Sequence, residues 1–195
     1  MGRDWVEVPG NLYCSTIVRL RGQDPAAHTL ALVAGVAAHD AIVGRFEALD
    51  DRLRIKWPND ILWDGEKLCG ILLERAGDAV IVGFGINVTG HPADLGRPVT
   101  SLAAIGGEGT ASDVLADLVA AFAHTLQMWR VEGLRAVALA WAARALPPGT
   151  AVRVEAPDGE VIMGTYSELA EDGALILRLA NGATRAIHTG DVFLI

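Results

Sequence analysis

From Leu53 to Val88 the chain runs through β-branched and aromatic stretches joined by turns too short to hold a helix. Pro58-Asn59, Asp64-Gly65 and Gly77-Asp78 are the turns. Strands joined this closely must run antiparallel, because a parallel pair needs a long crossover. The spacing predicts strands over about 53–57, 61–63, 68–74 and 79–84. It excludes a doubly wound parallel sheet. Leu12–Val18 is rich enough in β-formers to add another strand. Asp24-Pro25 predicts a helix over about 26–49, capped by the carboxylate and opened by the proline. That helix is apolar on most faces at first and is expected inside, against the sheet. Residues 89–110 read as loop. Two more helices are expected over about 111–130 and 132–145, with Ser112-Asp113 near the start of the first. The fold class is α+β: a mixed or antiparallel sheet carrying helices.

Pro147-Pro148-Gly149 marks the one clear boundary in the 195 residues. Beyond it, turn pairs at Asp158-Gly159, Asp172-Gly173, Asn181-Gly182 and Thr189-Gly190 divide five short stretches: about 150–156, 160–167, 174–179, 183–188 and 192–195. Strands at that spacing predict a small β-barrel. The expected organisation is residues 1–146 as one domain and 147–195 as a second, too small to be stable unless docked on the first.

Composition excludes several functions. The chain carries 16 Lys and Arg against 24 Asp and Glu, a net charge of −8. A phosphate-backbone binder would need a basic face, so no nucleic-acid partner is expected. No unbroken apolar run reaches the roughly 18 residues that span a bilayer, and residues 1–5 show no apolar signal segment, so no membrane partner is expected. Cys14 and Cys69 suggest no disulfide framework, which points to a reducing cytoplasm. The five histidines show no i, i+4 pair and no metal site is expected. Neither a Walker loop nor a Gly-x-Ser-x-Gly elbow is present.

The residues left to carry chemistry cluster in the hairpin region. Lys56 alternates with Ile55 and Trp57, so its side chain leaves the apolar face. It is either a solvated strand lysine or an ammonium fixed at a strand end, able to hold a carboxylate and stabilise charge on a phosphate. Asn59-Asp60 reads first as a turn pair. Gly70 interrupts an apolar strand and marks either a bulge or a close ligand approach. Gly83-Phe84-Gly85-Ile86-Asn87 lacks the third glycine and the helix of a dinucleotide fingerprint; a glycine-bearing strand under a flat ring, with the Asn87 amide near a base or ribose, is more economical.

Taken in order, Lys56-Trp57-Pro58-Asn59-Asp60, Lys67-Leu68-Cys69-Gly70-Ile71-Leu72-Leu73-Glu74 and Val82-Gly83-Phe84-Gly85-Ile86-Asn87-Val88 resemble the signature strands of biotin protein ligases. The start, Gly2-Arg3-Asp4-Trp5 with Pro9-Gly10-Asn11-Leu12-Tyr13, is similar to the end of that family's biotin loop and its next strand. Gly190-Asp191-Val192-Phe193-Leu194 resembles its C-terminal domain. The resemblance implies a class II synthetase-like catalytic domain and a small SH3-like barrel. It also implies a two-step reaction, in which biotin and ATP with Mg²⁺ give biotinyl-5′-adenylate, and the acyl group passes to a lysine of a biotin carboxyl carrier protein such as that of acetyl-CoA carboxylase. It implies Lys56 as the catalytic lysine and Arg3 and Trp5 as residues closing over the adenylate. Asn59, Gly70, Ile71, Gly85 and Asn87 are implied to line the substrates. A homodimer paired through sheet edges is also in the family's repertoire.

The resemblance starts partway into the family's catalytic domain. Its opening strand, a glutamine-containing strand and the Gly-Arg-Gly-Arg half of the biotin loop have no counterpart here. Met1 falls at the variable position of that loop. Two expectations follow: Met1 is an internal methionine of a longer protein, and residues 1–195 alone adenylate biotin poorly. No winged helix is expected. Two other readings stay open: a lipoate or octanoyl transferase, which the Lys-Trp-Pro-Asn-Asp block fits less well, and a degenerate module that binds a carrier domain without chemistry.

Overall fold

The structure, a computed structural model, describes residues 7–46, 51–92 and 96–195. The first sheet holds β1 (Leu12–Arg19), β2 (Leu53–Lys56), β3 (Asp60–Trp63), β4 (Glu66–Ala76) and β5 (Ala79–Ile86) in the order β1-β5-β4-β3-β2. Every neighbouring pair is antiparallel, as the short turns require. The β3–β4 turn places Asp64 and Gly65 at φ 49° and 84°, the left-handed pair that matches a twisted hairpin. Parallel contact among the described residues is limited to two isolated bridges, Ile55 to Ala145 and Lys67 to Val99.

One face of this sheet is covered by α1 (Leu30–Arg45), which also packs against α2 (Ala111–Val131) and α3 (Leu134–Arg144). Ala27–Arg45 has the length and hydropathy of a membrane-crossing helix, and 67% of it is buried inside the fold. The expected start at Asp24-Pro25 is corrected by the structure. Asp24 sits in a turn where its carboxylate accepts from the Arg21 backbone N–H and faces Arg130 of α2. A short 3₁₀ turn, Ala27–Thr29, precedes the helix, and neither of its caps is a side chain. The Thr29 side chain is committed elsewhere, where its hydroxyl accepts at 2.9 Å from the buried indole N–H of Trp129. For α2 the cap is Thr110, one turn before Asp113, and the two form a reciprocal capping box.

The second sheet follows Pro147-Pro148-Gly149. Its strands are β6 (Ala151–Glu155), β7 (Val161–Leu169), β8 (Leu175–Arg178), β9 (Thr184–Ile187) and β10 (Asp191–Leu194), ordered β10-β6-β7-β8-β9. The five expected strands all form. Their inward residues, among them Val154, Leu177 and Ile187, join the same apolar cluster as α1 and the first sheet.

Trp141 of α3 makes the joint between the sheets. Its ring meets Tyr166 of β7 edge to face, with centroids 6.4 Å apart. Gly35 of α1 makes room, since a methyl group there would meet Ile55 and the Trp141 ring at 3.3–3.4 Å. Trp57 donates from its indole to the Gly173 carbonyl at 3.1 Å. The void left between Ile55, Trp57, Trp141, Val152, Tyr166 and Leu175 is about 10 Å³, the space of one water centre. The end of β2, where Lys56 sits, is therefore clamped by both sheets. Trp141→Ala should cost about 3–5 kcal/mol in urea or thermal unfolding, as expected for an emptied aromatic site.

Candidate functional site

The register of the first sheet sets the site. Lys56 pairs with Asp60, Asp60 with Gly70, Gly70 with Gly85, and Gly85 with Tyr13. One cross-strand row thus spans all five strands: two charged residues at one end, two bare glycines in the middle and a tyrosine at the other end. Because strand side chains alternate, the residues one step along face the other way. Ile71 pairs with Phe84 there, and Phe84 packs edge to face on Phe122 of α2 at 5.8 Å. The next row on the site face holds one more glycine, Gly83, between Ser15 and the exposed Leu72. It borders a hollow of about 340 Å³ with Glu7 and Tyr13 at its rim.

At the charged end, Lys56 is largely buried, with 13% of its side chain exposed. Its ammonium donates to an Asp60 carboxylate oxygen at 2.8 Å and to the Val192 carbonyl of β10 at 2.8 Å. An ammonium has three donors. Among the described residues two are taken, which leaves the third for a bound group. The other Asp60 oxygen is paired to Lys67. Burial works against ionisation of Asp60, but the Lys67 and Lys56 ammoniums outweigh it and hold the carboxyl below its usual range. For Lys67 burial is the larger effect; Asp60 opposes it only in part, so its ammonium loses its proton more easily than an ordinary lysine. Together the three carry one net positive charge. They line a cleft of about 560 Å³ between the two sheets, with Asn59, Arg97 and Arg153.

Lys67 reaches this face through a bulge. Ile61 pairs with Cys69 but Leu62 pairs with Lys67, so Leu68 is an extra residue in β4. Strict alternation would put Lys67 on the core face with Cys69 and Ile71. The bulge turns it over, a common use of bulges beside functional sites. Leu68 goes to the core, fully buried. Lys67 is then fixed by the loop that follows β5: its N–H donates to the Pro98 carbonyl and its carbonyl accepts from Thr100, both at 3.0 Å.

The structure brings Lys56, Gly70 and Gly85 into the same row. Asn59 adjoins it, donating from its side-chain amide to the Ile71 carbonyl at 2.6 Å while its backbone carbonyl accepts from the Ile71 N–H at 2.9 Å. Ile71 differs from expectation: its side chain is in the core at 3% exposure, and it meets the site through its backbone. Asn87 has a hydrogen-bonding role in the fold, donating to the Thr100 carbonyl at 2.8 Å and accepting from Asn11 at 3.3 Å. Asn11 in turn accepts from the Val88, Thr89 and Gly90 N–H groups, which fixes the end of β5. Arg3 and Trp5 lie outside the described residues. Asp60, Lys67 and Tyr13 are site-face residues that sequence reasoning does not single out. The Lys56–Asp60 spacing across a tight turn is the available signal for Asp60. Among the described residues no group of three His, Cys, Asp or Glu could hold a metal ion.

Residues 1–89 match the biotin/lipoate A/B protein ligase family, and residues 149–195 match the biotin protein ligase C terminal domain. The chain is 35% identical to a biotin--[acetyl-CoA-carboxylase] ligase of Paracoccus denitrificans, covering 98% of this chain and 83% of that one. It is 34% identical to the enzyme of the same name from Mycobacterium tuberculosis, over 84% of this chain and 61% of that one. Among solved structures, the biotin protein ligase of Aquifex aeolicus in complex with biotin and ATP superposes with a TM-score of 0.85 at 25% identity, covering 100% of this chain and 82% of that one. The signature strands, the two sheets and these likenesses agree: the chain belongs to the biotin protein ligase family.

Proposed function

We propose that this chain attaches biotin to a lysine of a biotin carboxyl carrier protein, that of acetyl-CoA carboxylase in the first instance, through biotinyl-5′-adenylate. The observation that carries the reading is the cross-strand row from Lys56 to Tyr13: a cation with an uncommitted donor beside a glycine floor. The first step brings a carboxylate onto the α-phosphate of ATP, and two anions repel. The Lys56 ammonium, held by Asp60 and Val192, has one donor for the oxygens that approach and for the charge that develops on the phosphate. Pyrophosphate leaves as the mixed anhydride forms. In the second step the carrier's lysine amine attacks the acyl carbon and AMP departs. Gly70, Gly83 and Gly85 let flat rings lie against the backbone, where any side chain would lift them. Arg3 and Trp5 are the residues we assign to closing over the adenylate, and Asn87 to fixing the strand end beside it.

Mg²⁺ belongs to this reading as the ion carried on the nucleotide's phosphates. The described residues offer no acidic cage for it, and that suits an ion which keeps its waters and is held mainly by phosphates. The work of the protein is to hold the lysine. We place the reaction in the cytoplasm.

A carrier domain incubated with this chain, ATP, Mg²⁺ and labelled biotin should gain label on its target lysine, above a Lys56→Ala background. Lipoate in place of biotin should give none; the reverse pattern would overturn the assignment. Lys56→Ala should lower the rate of adenylate formation by about 10²–10³-fold, the usual loss when one charge-stabilising donor is removed.

The depressed Asp60 ionisation makes a second prediction. A carboxyl whose folded value lies below its unfolded one contributes stability above the unfolded value, about pH 4, and loses it as pH falls through the folded value. Asp60→Asn should therefore destabilise the protein at neutral pH, by about 3 kcal/mol for a broken buried pair. Melting curves of the two proteins should converge only in acid, below about pH 4. A gap that stays constant down to about pH 2 would show that Asp60 is not ionised in the fold.

A further inference from the structure

Of the 16 Lys and Arg residues in the chain, only Lys56 and Lys67 are lysines. Both are largely buried, with 13% and 17% of their side chains exposed. Histidines aside, every exposed basic side chain among the described residues is therefore a guanidinium. Ion-pair geometry accounts for part of this choice. Arg144 and Arg185 grip the carboxylates of Asp40 and Glu160 with two nitrogens each, and an ammonium cannot reproduce that fork. It does not account for Arg97, Arg135 and Arg178. These are exposed, and their side chains hold no ion pair or hydrogen bond among the described residues. A lysine would supply the same charge there. The difference that remains is chemical: a deprotonated lysine amine is a nucleophile, whereas a guanidinium keeps its proton and is not. Two arginines stand on the cleft that holds Lys56. Arg97 is exposed on the loop after β5, and Arg153 of β6 lies 4.5 Å over the Phe193 ring.

We propose that Arg97 and Arg153 are specificity-determining residues for acyl transfer: they make the cleft rim positive without setting an acylatable amine beside the activated acyl group, which is left for the carrier's lysine. The inference deepens the ligase reading and rests on it. A lysine at either position opens a side reaction. Its free amine attacks the acyl carbon, and a C–N amide bond forms as the C–O bond of the mixed anhydride breaks. AMP leaves with the electron pair, and the amine's proton passes to water. An amine on the rim is tethered at an effective concentration of about 1 mM to an adenylate in the cleft, against about 10 µM for an amine on another molecule in a typical assay. The arginines withhold that advantage from the enzyme's own surface.

The test is self-labelling of the whole chain by synthetic biotinyl-5′-adenylate, supplied at an equimolar level so that the readout does not depend on the first step. Label is located by mass spectrometry of peptides. The wild type should carry no biotin on Lys56 or Lys67. Arg97→Lys and Arg153→Lys should be labelled at the new lysine about tenfold or more above Arg178→Lys, an exposed control outside the cleft lining. Arg97→Lys carries the test alone if Arg153→Lys, which gives up its places on Phe193 and Glu155, does not fold. Rim lysines labelled no more than the Arg178→Lys control would overturn the inference. So would wild-type Lys56 or Lys67 labelled as strongly as the rim. A parallel reaction with a carrier domain separates the inference from the reading beneath it. If the wild type speeds transfer to the carrier while the rim lysines stay unlabelled, the inference alone fails. If transfer to the carrier is no faster than without the chain, the ligase reading falls and the inference with it.

Discussion

Two ammoniums sharing one carboxylate, largely out of water, constrain everything else near them. Lys56, Asp60 and Lys67 come from three neighbouring strands and expose only 13%, 7% and 17% of their side chains. An ion group this buried is tolerable only where its geometry is held closely and its remaining donors and acceptors are met. That requirement explains why so many elements converge here. The hairpin turn after Lys56 sets its distance from Asp60. The bulge at Leu68 sets the direction of Lys67. The loop after β5 locks the bulge, and β10 of the second sheet supplies the Val192 carbonyl.

The same strands have to satisfy a second demand on their other face. Ile71, Phe84 and Ile86 are core residues against the helices, while Gly70, Gly83 and Gly85, one residue away, put no side chain on the other face, where Gly70 and Gly85 are themselves buried. Glycine weakens a strand, because it leaves nothing to pack and gains backbone freedom on unfolding. Three glycines in adjacent strands are sustainable here because the core face compensates: the Phe84–Phe122 contact and the buried aliphatic row hold β4 and β5 whether or not the other face is occupied. On the proposed reading, a ligand that is mostly flat ring is then received by backbone without the fold depending on its presence.

How far the sequence reveals this depends on how local each cause is. The antiparallel sheet is legible because Asp64-Gly65 and Gly77-Asp78 encode their turns within a few residues. Lys56, Gly70 and Gly85 are legible because their order along the chain resembles a family pattern. Asp60 and Lys67 stand in the same blocks, but their meeting with Lys56 on one face is not legible. Period-two reading places Lys67 with Cys69 and Ile71 on the core face, and only the bulge, which depends on strand pairing and on Pro98 and Thr100 some thirty residues later, reverses it. The start of α1 fails for the same kind of reason. Asp24-Pro25 has the chemistry of a cap, but the carboxylate faces Arg130, a residue from a different helix. A local rule gives way wherever a distant partner takes its side chain.

The second sheet matters to the chemistry through one carbonyl and one core. Val192 accepts from Lys56, so a strand at the C-terminal end of the chain occupies one of the three donors on the residue proposed to meet the substrate. Trp141, Tyr166 and Trp57 keep that strand from drifting, because the void between the sheets is no larger than a water and the aromatic contacts leave little room to slide. A free lysine side chain rotates through many conformers, and ordering it at the moment of reaction costs free energy. Here two of its donors are satisfied beforehand by groups fixed on different sheets, so the third points one way before any ligand arrives. The ordering is met by folding, and in the proposed reaction the electrostatic benefit at the phosphate is then available without reorganisation.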